Sequence, residues 1–177
     1  MRMNYFEFFD LPVGFHVDEA ALRQQYYRKS KQYHPDFYTL STVQHQEEMQ
    51  ALSTLNNEAY KTLADPDRRM RYILELHGLL GEAEQTAPLP QAFLLEMMEL
   101  NESLMELEFE FDPARYEQAL LELQNTENQL YAAIVPILNR YPVSENPESD
   151  LLLVKEYFYK KRYLLRIREN LSKFAAH

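Results

Sequence analysis

The stretch Asp18-Glu19-Ala20-Ala21-Leu22-Arg23-Gln24-Gln25-Tyr26-Tyr27-Arg28-Lys29-Ser30-Lys31-Gln32-Tyr33-His34-Pro35-Asp36 decides how the first half of the chain folds. Asp18 stands where a carboxylate can accept from free first-turn amides, which makes it the N-cap of a helix running to Tyr33. Proline at 35 disfavours α geometry at His34, so the helix ends there. Arg28, Lys29 and Lys31 sit near that end, where cations suit the helix dipole. Leu22, Tyr26 and Tyr33 are its candidate core residues, with Tyr26 and Lys29 close to the border between buried and exposed faces. His34, Pro35 and Asp36 then form a rigid corner. Two readings of the corner stand side by side: an ordinary loop in which His34 merely caps the helix, or a presented recognition element. The tripeptide alone does not choose between them.

Working outward, the pattern is helical throughout. Residues 4–9 read as a short helix closed by the turn Leu11-Pro12-Val13-Gly14. A third helix covers about 43–63, with Leu52, Leu55, Asn56, Ala59 and Leu63 at helical spacing. Asp65-Pro66 restarts a short helix, the cap preceding proline at the first helical position, and it stops at Gly78. Residues 78–90 hold two of the three glycines and two prolines, which marks a linker or boundary. Beyond it the spacing predicts one helix from Pro90 or Gln91 to about 111, a second from Asp112-Pro113 to about 140, and a third from about 148 to 174. Helices joined by short loops make a bundle.

Composition narrows the function classes. The 177 residues are 46% hydrophobic and contain no cysteine, which leaves enough for a packed core and excludes disulfides and thiolate chemistry. A net charge of −10 disfavours nucleic acid, whose phosphates need a basic footprint. The longest apolar run, 131–138, is far short of a membrane span, and no signal-peptide pattern opens the chain; a soluble cytoplasmic protein is expected. Charge is uneven: residues 82–127 carry twelve acidic side chains and one basic one, whereas 155–173 carry seven basic and two acidic. Solvated faces, or oppositely charged helices lying side by side, account for that equally well. No glycine-rich phosphate loop, nucleophile elbow or paired metal-ligand histidines occur, so no catalytic residue, metal ligand or cofactor is assigned.

The helix after Pro90 carries more apolar residues than one buried face needs. Phe93, Met97, Leu100, Leu104, Leu107 and Phe111 recur at spacings of four and three, a complete core stripe. Leu94, Leu95, Met98, Met105 and Phe109 lie on its flank and opposite side, interleaved with Glu99, Glu102 and Glu106. Either the other bundle helices cover this surplus, or it is an exposed apolar patch rimmed by carboxylates, the mark of a protein partner. The three carboxylates could also pair internally with Lys160, Lys161, Arg162 and Arg166 of the last helix.

In order along the chain, Asn4-Tyr5-Phe6-Glu7-Phe8-Phe9-Asp10-Leu11, the basic helix with its His-Pro-Asp corner, Leu55-Asn56-Asn57-Glu58-Ala59-Tyr60-Lys61-Thr62-Leu63 and Asp65-Pro66-Asp67-Arg68-Arg69 resemble a J-domain. Leu89-Pro90-Gln91-Ala92-Phe93-Leu94-Leu95-Glu96-Met97-Met98-Glu99-Leu100-Asn101-Glu102 is similar to the signature of HscB-type J-proteins, the co-chaperones of iron–sulfur cluster assembly. The resemblance implies an all-α chain: a J-domain over 1–77, a linker over 78–89 and a three-helix bundle over 90–177. It implies a DnaK- or HscA-type chaperone partner whose ATPase is stimulated through His34, Pro35, Asp36, Arg23, Arg28 and Lys31. It implies an IscU-type scaffold protein held by Leu94, Leu95, Met98, Glu99, Glu102, Glu106 and Tyr163. The alternative function is delivery of a different client through the acidic bundle. Three positions depart from the family pattern: Phe37 replaces the common lysine after the corner, Tyr27 replaces a basic residue, and Asn101 stands where the family usually has one.

Overall fold

The computed structural model describes residues 3–81 and 89–174; of the linker expected at 78–89, residues 82–88 lie outside the described residues. All regular structure among the described residues is helical. The chain divides into two compact units, Met1–Gly78 and Leu79–His177.

In the first unit α1 (Tyr5–Phe8) is followed by α2 (Glu19–Gln32), a 3₁₀ turn (Pro35–Tyr38), α3 (Val43–Ala64) and α4 (Pro66–Leu76). The Asp18 carboxylate accepts from the Ala20 and Ala21 amides and starts α2, as its position predicts. Asp65 does the same for α4, accepting from the amides of Asp67 and Arg68 at 2.9 Å each, with Pro66 next in line. Gly78, at φ +67, takes the left-handed conformation that closes α4. α2 and α3 are antiparallel: Tyr26 stacks on Tyr60 at 4.2 Å, while Ser30, one turn later, meets Asn56, one turn earlier. Asn56 is buried, and its amide donates to Ser30 Oγ (2.9 Å) and the Tyr26 carbonyl (3.2 Å). Arg69 is also buried; it donates to the carbonyls of Phe15 and Leu63, tying the loop before α2 to the end of α3. A buried polar group costs roughly 1–3 kcal/mol when unpaired, so these two residues specify one arrangement of the hairpin.

The second unit is a three-helix bundle whose first leg is broken. Where a single helix to about 111 is expected, the chain forms α5 (Gln91–Glu96) and α6 (Met98–Phe109), followed by α7 (Pro113–Arg140) and α8 (Pro147–Phe174). Met97, between α5 and α6, sits at φ −86, ψ 0, and the Asn101 side chain reaches back to its carbonyl at 2.6 Å. The Met97 carbonyl thus accepts from the Asn101 side chain as well as from the Asn101 backbone amide at 3.0 Å. The break leaves the core stripe intact: Phe93, Met97, Leu100, Leu104 and Leu107 are buried against Ala119 and Leu123 of α7 and Leu164, Ile167 and Leu171 of α8. Phe111 is a correction. It was expected on this stripe, but α6 ends at Phe109, Glu110 turns extended, and Phe111 stays exposed with its ring tilted on Tyr116 at 5.8 Å.

α7 and α8 are antiparallel, held at their joining end by Arg140 and Asp150. Arg140 Nε donates to Asp150 Oδ2 at 2.9 Å and Nη2 donates to Oδ1. Asp150 is almost wholly out of solvent, and the guanidinium bonds hold its carboxyl below the ordinary aspartate value. A depressed carboxyl contributes stability in full above its unfolded pKa of about 3.9 and loses it as the pH falls through the folded-state value. Asp150→Asn should therefore lower the melting temperature at pH 7, with the gap to wild type narrowing as the pH drops toward about 3. A gap that stays constant across melts from pH 7 to 3 would mean the charge of Asp150 is not what matters.

Candidate functional site

The His-Pro-Asp corner of the first unit is a 3₁₀ turn, and its geometry follows from three contacts. His34 caps the turn, its Nδ1 accepting from the Asp36 amide at 3.3 Å. Tyr38 pins the far end, its hydroxyl donating to the Gln32 carbonyl at 2.6 Å and its ring meeting His45 edge-on at 5.1 Å. Pro35 holds the direction change at the first position of the turn. His34, Pro35 and Asp36 are all exposed, so the turn presents the three side chains rather than packing them.

α2 leads into this turn with one face buried and one open. Leu22 and Tyr33 are buried and Tyr26 half-buried, as expected. Lys29 belongs with them: its ammonium lies 4.4 Å from the centre of the Phe8 ring, and burial pushes its pKa down, with Asp10 pulling the other way. Arg23, Tyr27, Arg28 and Lys31 are exposed and occupy one arc of the helix. Arg28 makes a 3.4 Å ion pair with Asp10, a partner that sequence spacing did not reveal. Phe37 is exposed beside the corner, its ring meeting the His34 ring edge-on with centroids 5.8 Å apart.

The second unit leaves the surplus face of α5–α6 uncovered. Leu94, Leu95, Met98, Met105 and Phe109 are all exposed, so the other bundle helices do not cover the surplus. Glu99 and Glu102 are exposed, and among the described residues neither is joined to a base of α8. Glu106 is exposed too, but it is paired with Arg115 at the start of α7. Lys160 is occupied by Glu156, and Arg168 by Glu127 of α7. Tyr163 comes to this face from α8. Its ring meets Phe93 edge-on at 5.6 Å, and its hydroxyl accepts from the Asn101 amide at 2.8 Å. Asn101 is thus the residue that ties Tyr163 to α6, a role hidden in the sequence because the two positions are far apart in the chain.

All seven residues predicted for this face are therefore on α5, α6 or the adjoining part of α8, six of them exposed and Tyr163 half-buried. Among the described residues no group of three or more histidine, aspartate or glutamate side chains could hold a metal ion, and no helix is long and apolar enough to cross a membrane. The contrast between the two stripes of α6 is testable in stability. Leu100→Ala should cost about 2–5 kcal/mol by leaving a cavity, whereas Leu95→Ser should change stability by no more than about 0.5 kcal/mol. Urea unfolding of both variants measures this; equal losses would mean that Leu95 is part of the core.

Comparison with known proteins falls on the same two units. Residues 4–72 match the DnaJ domain, and residues 89–172 match the HSCB C-terminal oligomerisation domain. A co-chaperone protein HscB homolog of Cupriavidus taiwanensis is 34% identical over 139 residues, covering 78% of this chain and 79% of that one. Another, from Shewanella halifaxensis, is 30% identical over 171 residues, covering 97% and 96%. The crystal structure of human co-chaperone protein HscB matches with a TM-score of 0.73 at 28% identity, over 97% of this chain and 81% of that one. The chaperone HscB from Vibrio cholerae gives a TM-score of 0.66 at 25% identity, over 97% and 96%.

Proposed function

Because the chain belongs to the HscB family of co-chaperones, we propose that its J-domain stimulates the ATPase of a DnaK- or HscA-type chaperone while its bundle delivers an IscU-type iron–sulfur scaffold protein to it. The observation that carries the reading is the exposed His34-Pro35-Asp36 turn standing at the end of an exposed basic arc. Arg23, Arg28 and Lys31 would meet an acidic surface of the chaperone's ATPase domain, steering the encounter, and the turn would make the specific contact. The chain itself performs no covalent chemistry in this scheme. Docking accelerates hydrolysis only by binding the hydrolysis-competent state of the chaperone more tightly than the other state, each factor of ten requiring about 1.4 kcal/mol of differential affinity. Phe37 and Tyr27, apolar and aromatic where bases are common, make this surface less positive than the family pattern.

On the bundle, Leu94, Leu95 and Met98 would be the apolar anchors and Tyr163 the flanking aromatic, with Glu99, Glu102 and Glu106 facing basic residues of the scaffold. Anchors of this kind concentrate interface energy in a few side chains, and rim carboxylates chiefly set association rate and orientation. Glu106 already has Arg115 as a partner, so Glu99 and Glu102 carry the free negative charge of the trio.

Two outcomes follow. His34→Gln should abolish stimulation of chaperone ATP hydrolysis in a steady-state assay while circular dichroism and scaffold binding stay unchanged; stimulation that survived would sink the J-domain assignment of activity. Glu99→Lys with Glu102→Lys should slow scaffold association roughly ten-fold at low salt and invert its salt dependence, with the melting temperature nearly intact. Stopped-flow rates across a salt series measure this, and an unchanged rate beside a lowered melting temperature would assign both carboxylates to the bundle.

A further inference from the structure

The apolar face of α5–α6 does not stop at the residues assigned to the scaffold. Met105 is 62% exposed and Phe109 is 92% exposed, and neither belongs to the set assigned to that contact. On α6 the positions Met98, Glu102, Met105 and Phe109 are separated by four, three and four residues, which places them in a single row along the helix. Met98 to Phe109 spans eleven residues at about 1.5 Å each, so the row runs about 16 Å along α6 beyond α5, apolar except at Glu102. At its end Phe109 lines a cleft of about 560 Å³ at the α6–α7 corner, together with Phe111 and Pro113, the acidic Glu106, Glu110 and Asp112, and Arg115. Exposed apolar rows mark a partner site, and the seven residues assigned to the contact are fewer than the roughly 20–30 that a specific interface engages on each side.

We propose that Met105 and Phe109 extend the scaffold-binding surface down the whole length of α6, with Phe109 as a second apolar anchor at the cleft. The proposal rests on the reading of α5–α6 as the scaffold face. Charge selects this occupant over a second copy docked face to face: exposed Glu99, Glu102 and Glu106 edge the row, and among the described residues only Glu106 of the three is paired with a base, Arg115, so two such faces repel each other. A partner that fits presents an apolar strip edged with lysine or arginine, the same complement that Glu99 and Glu102 require, and continuity along one helix makes it one partner rather than two.

The test uses the full chain and the purified IscU-type scaffold protein in calorimetric titration, with thermal melts and sedimentation velocity on the same samples. Met105→Gln with Phe109→Gln should weaken scaffold binding by at least about ten-fold, with the melting temperature unchanged because both side chains lie in solvent. Leu95→Ala with Met98→Ala serves as the reference for the assigned site. Loss of affinity in both pairs supports the extension. Loss in the reference pair alone overturns the extension and leaves the scaffold reading standing. Failure of the wild-type chain to bind the scaffold, or binding indifferent to both pairs, overturns the reading and the extension with it. A wild-type dimer that the Met105→Gln, Phe109→Gln variant converts to monomer, with scaffold affinity unchanged, would give this face to a second copy and overturn the proposal as well.

Discussion

The buried row Phe93–Met97–Leu100–Leu104–Leu107 is the constraint on which the rest of the bundle depends. α7 and α8 meet α5–α6 from one side, and a helix on the outside of a bundle can hide only the stripe that faces its neighbours. Once that stripe is set, every other apolar side chain of α5–α6 must stand in water, where it promotes unwanted association unless a partner covers it. The first unit obeys the same rule with charge in place of apolar surface. Leu22, Tyr33 and the Lys29 stem orient α2 toward Phe8 and α3, and that orientation leaves Arg23, Arg28 and Lys31 on the open arc that leads to His34. In both units the surface proposed for function is the one the core does not use.

Much of this was legible in the sequence because it is local. The caps at Asp18 and Asp65, the stop imposed by Pro35 and the stripe after Pro90 each depend on residues within a few positions of one another, and each stands where spacing puts it. What spacing could not supply involves pairs brought together by folding: Arg28 with Asp10, Glu106 with Arg115, and Asn101 with Tyr163. The break between α5 and α6 at Met97 is equally hidden, as is the Asn101 side-chain bond to the Met97 carbonyl there, since neither leaves a mark on a hydrophobic pattern. The end of α6 was misread for a related reason. Phe111 fits the period of the stripe, but Asp112-Pro113 begins the next helix so soon after it that the chain must already have left helical geometry at Glu110.

Exposure, by contrast, was not decidable from sequence for the surplus face. A helical period says which residues share a side and is silent on whether a neighbour covers that side. Here the coverage is absent from Leu94 to Phe109, and the carboxylates along it are only partly neutralised within the bundle. Each unit thus exposes a surface of opposite character: a basic arc ending in a rigid polar turn, and an acidic helix with an apolar row.

The central claim is that one chain acts through both surfaces at once, joining a chaperone to the scaffold it is to receive. Single-turnover ATP hydrolysis by a DnaK-type chaperone, with the chain held below saturation and the scaffold protein titrated in, tests this most directly. If the chain bridges the two proteins, the rate rises above the sum of the stimulations produced by the chain alone and the scaffold alone. A strictly additive response at every scaffold concentration would contradict it.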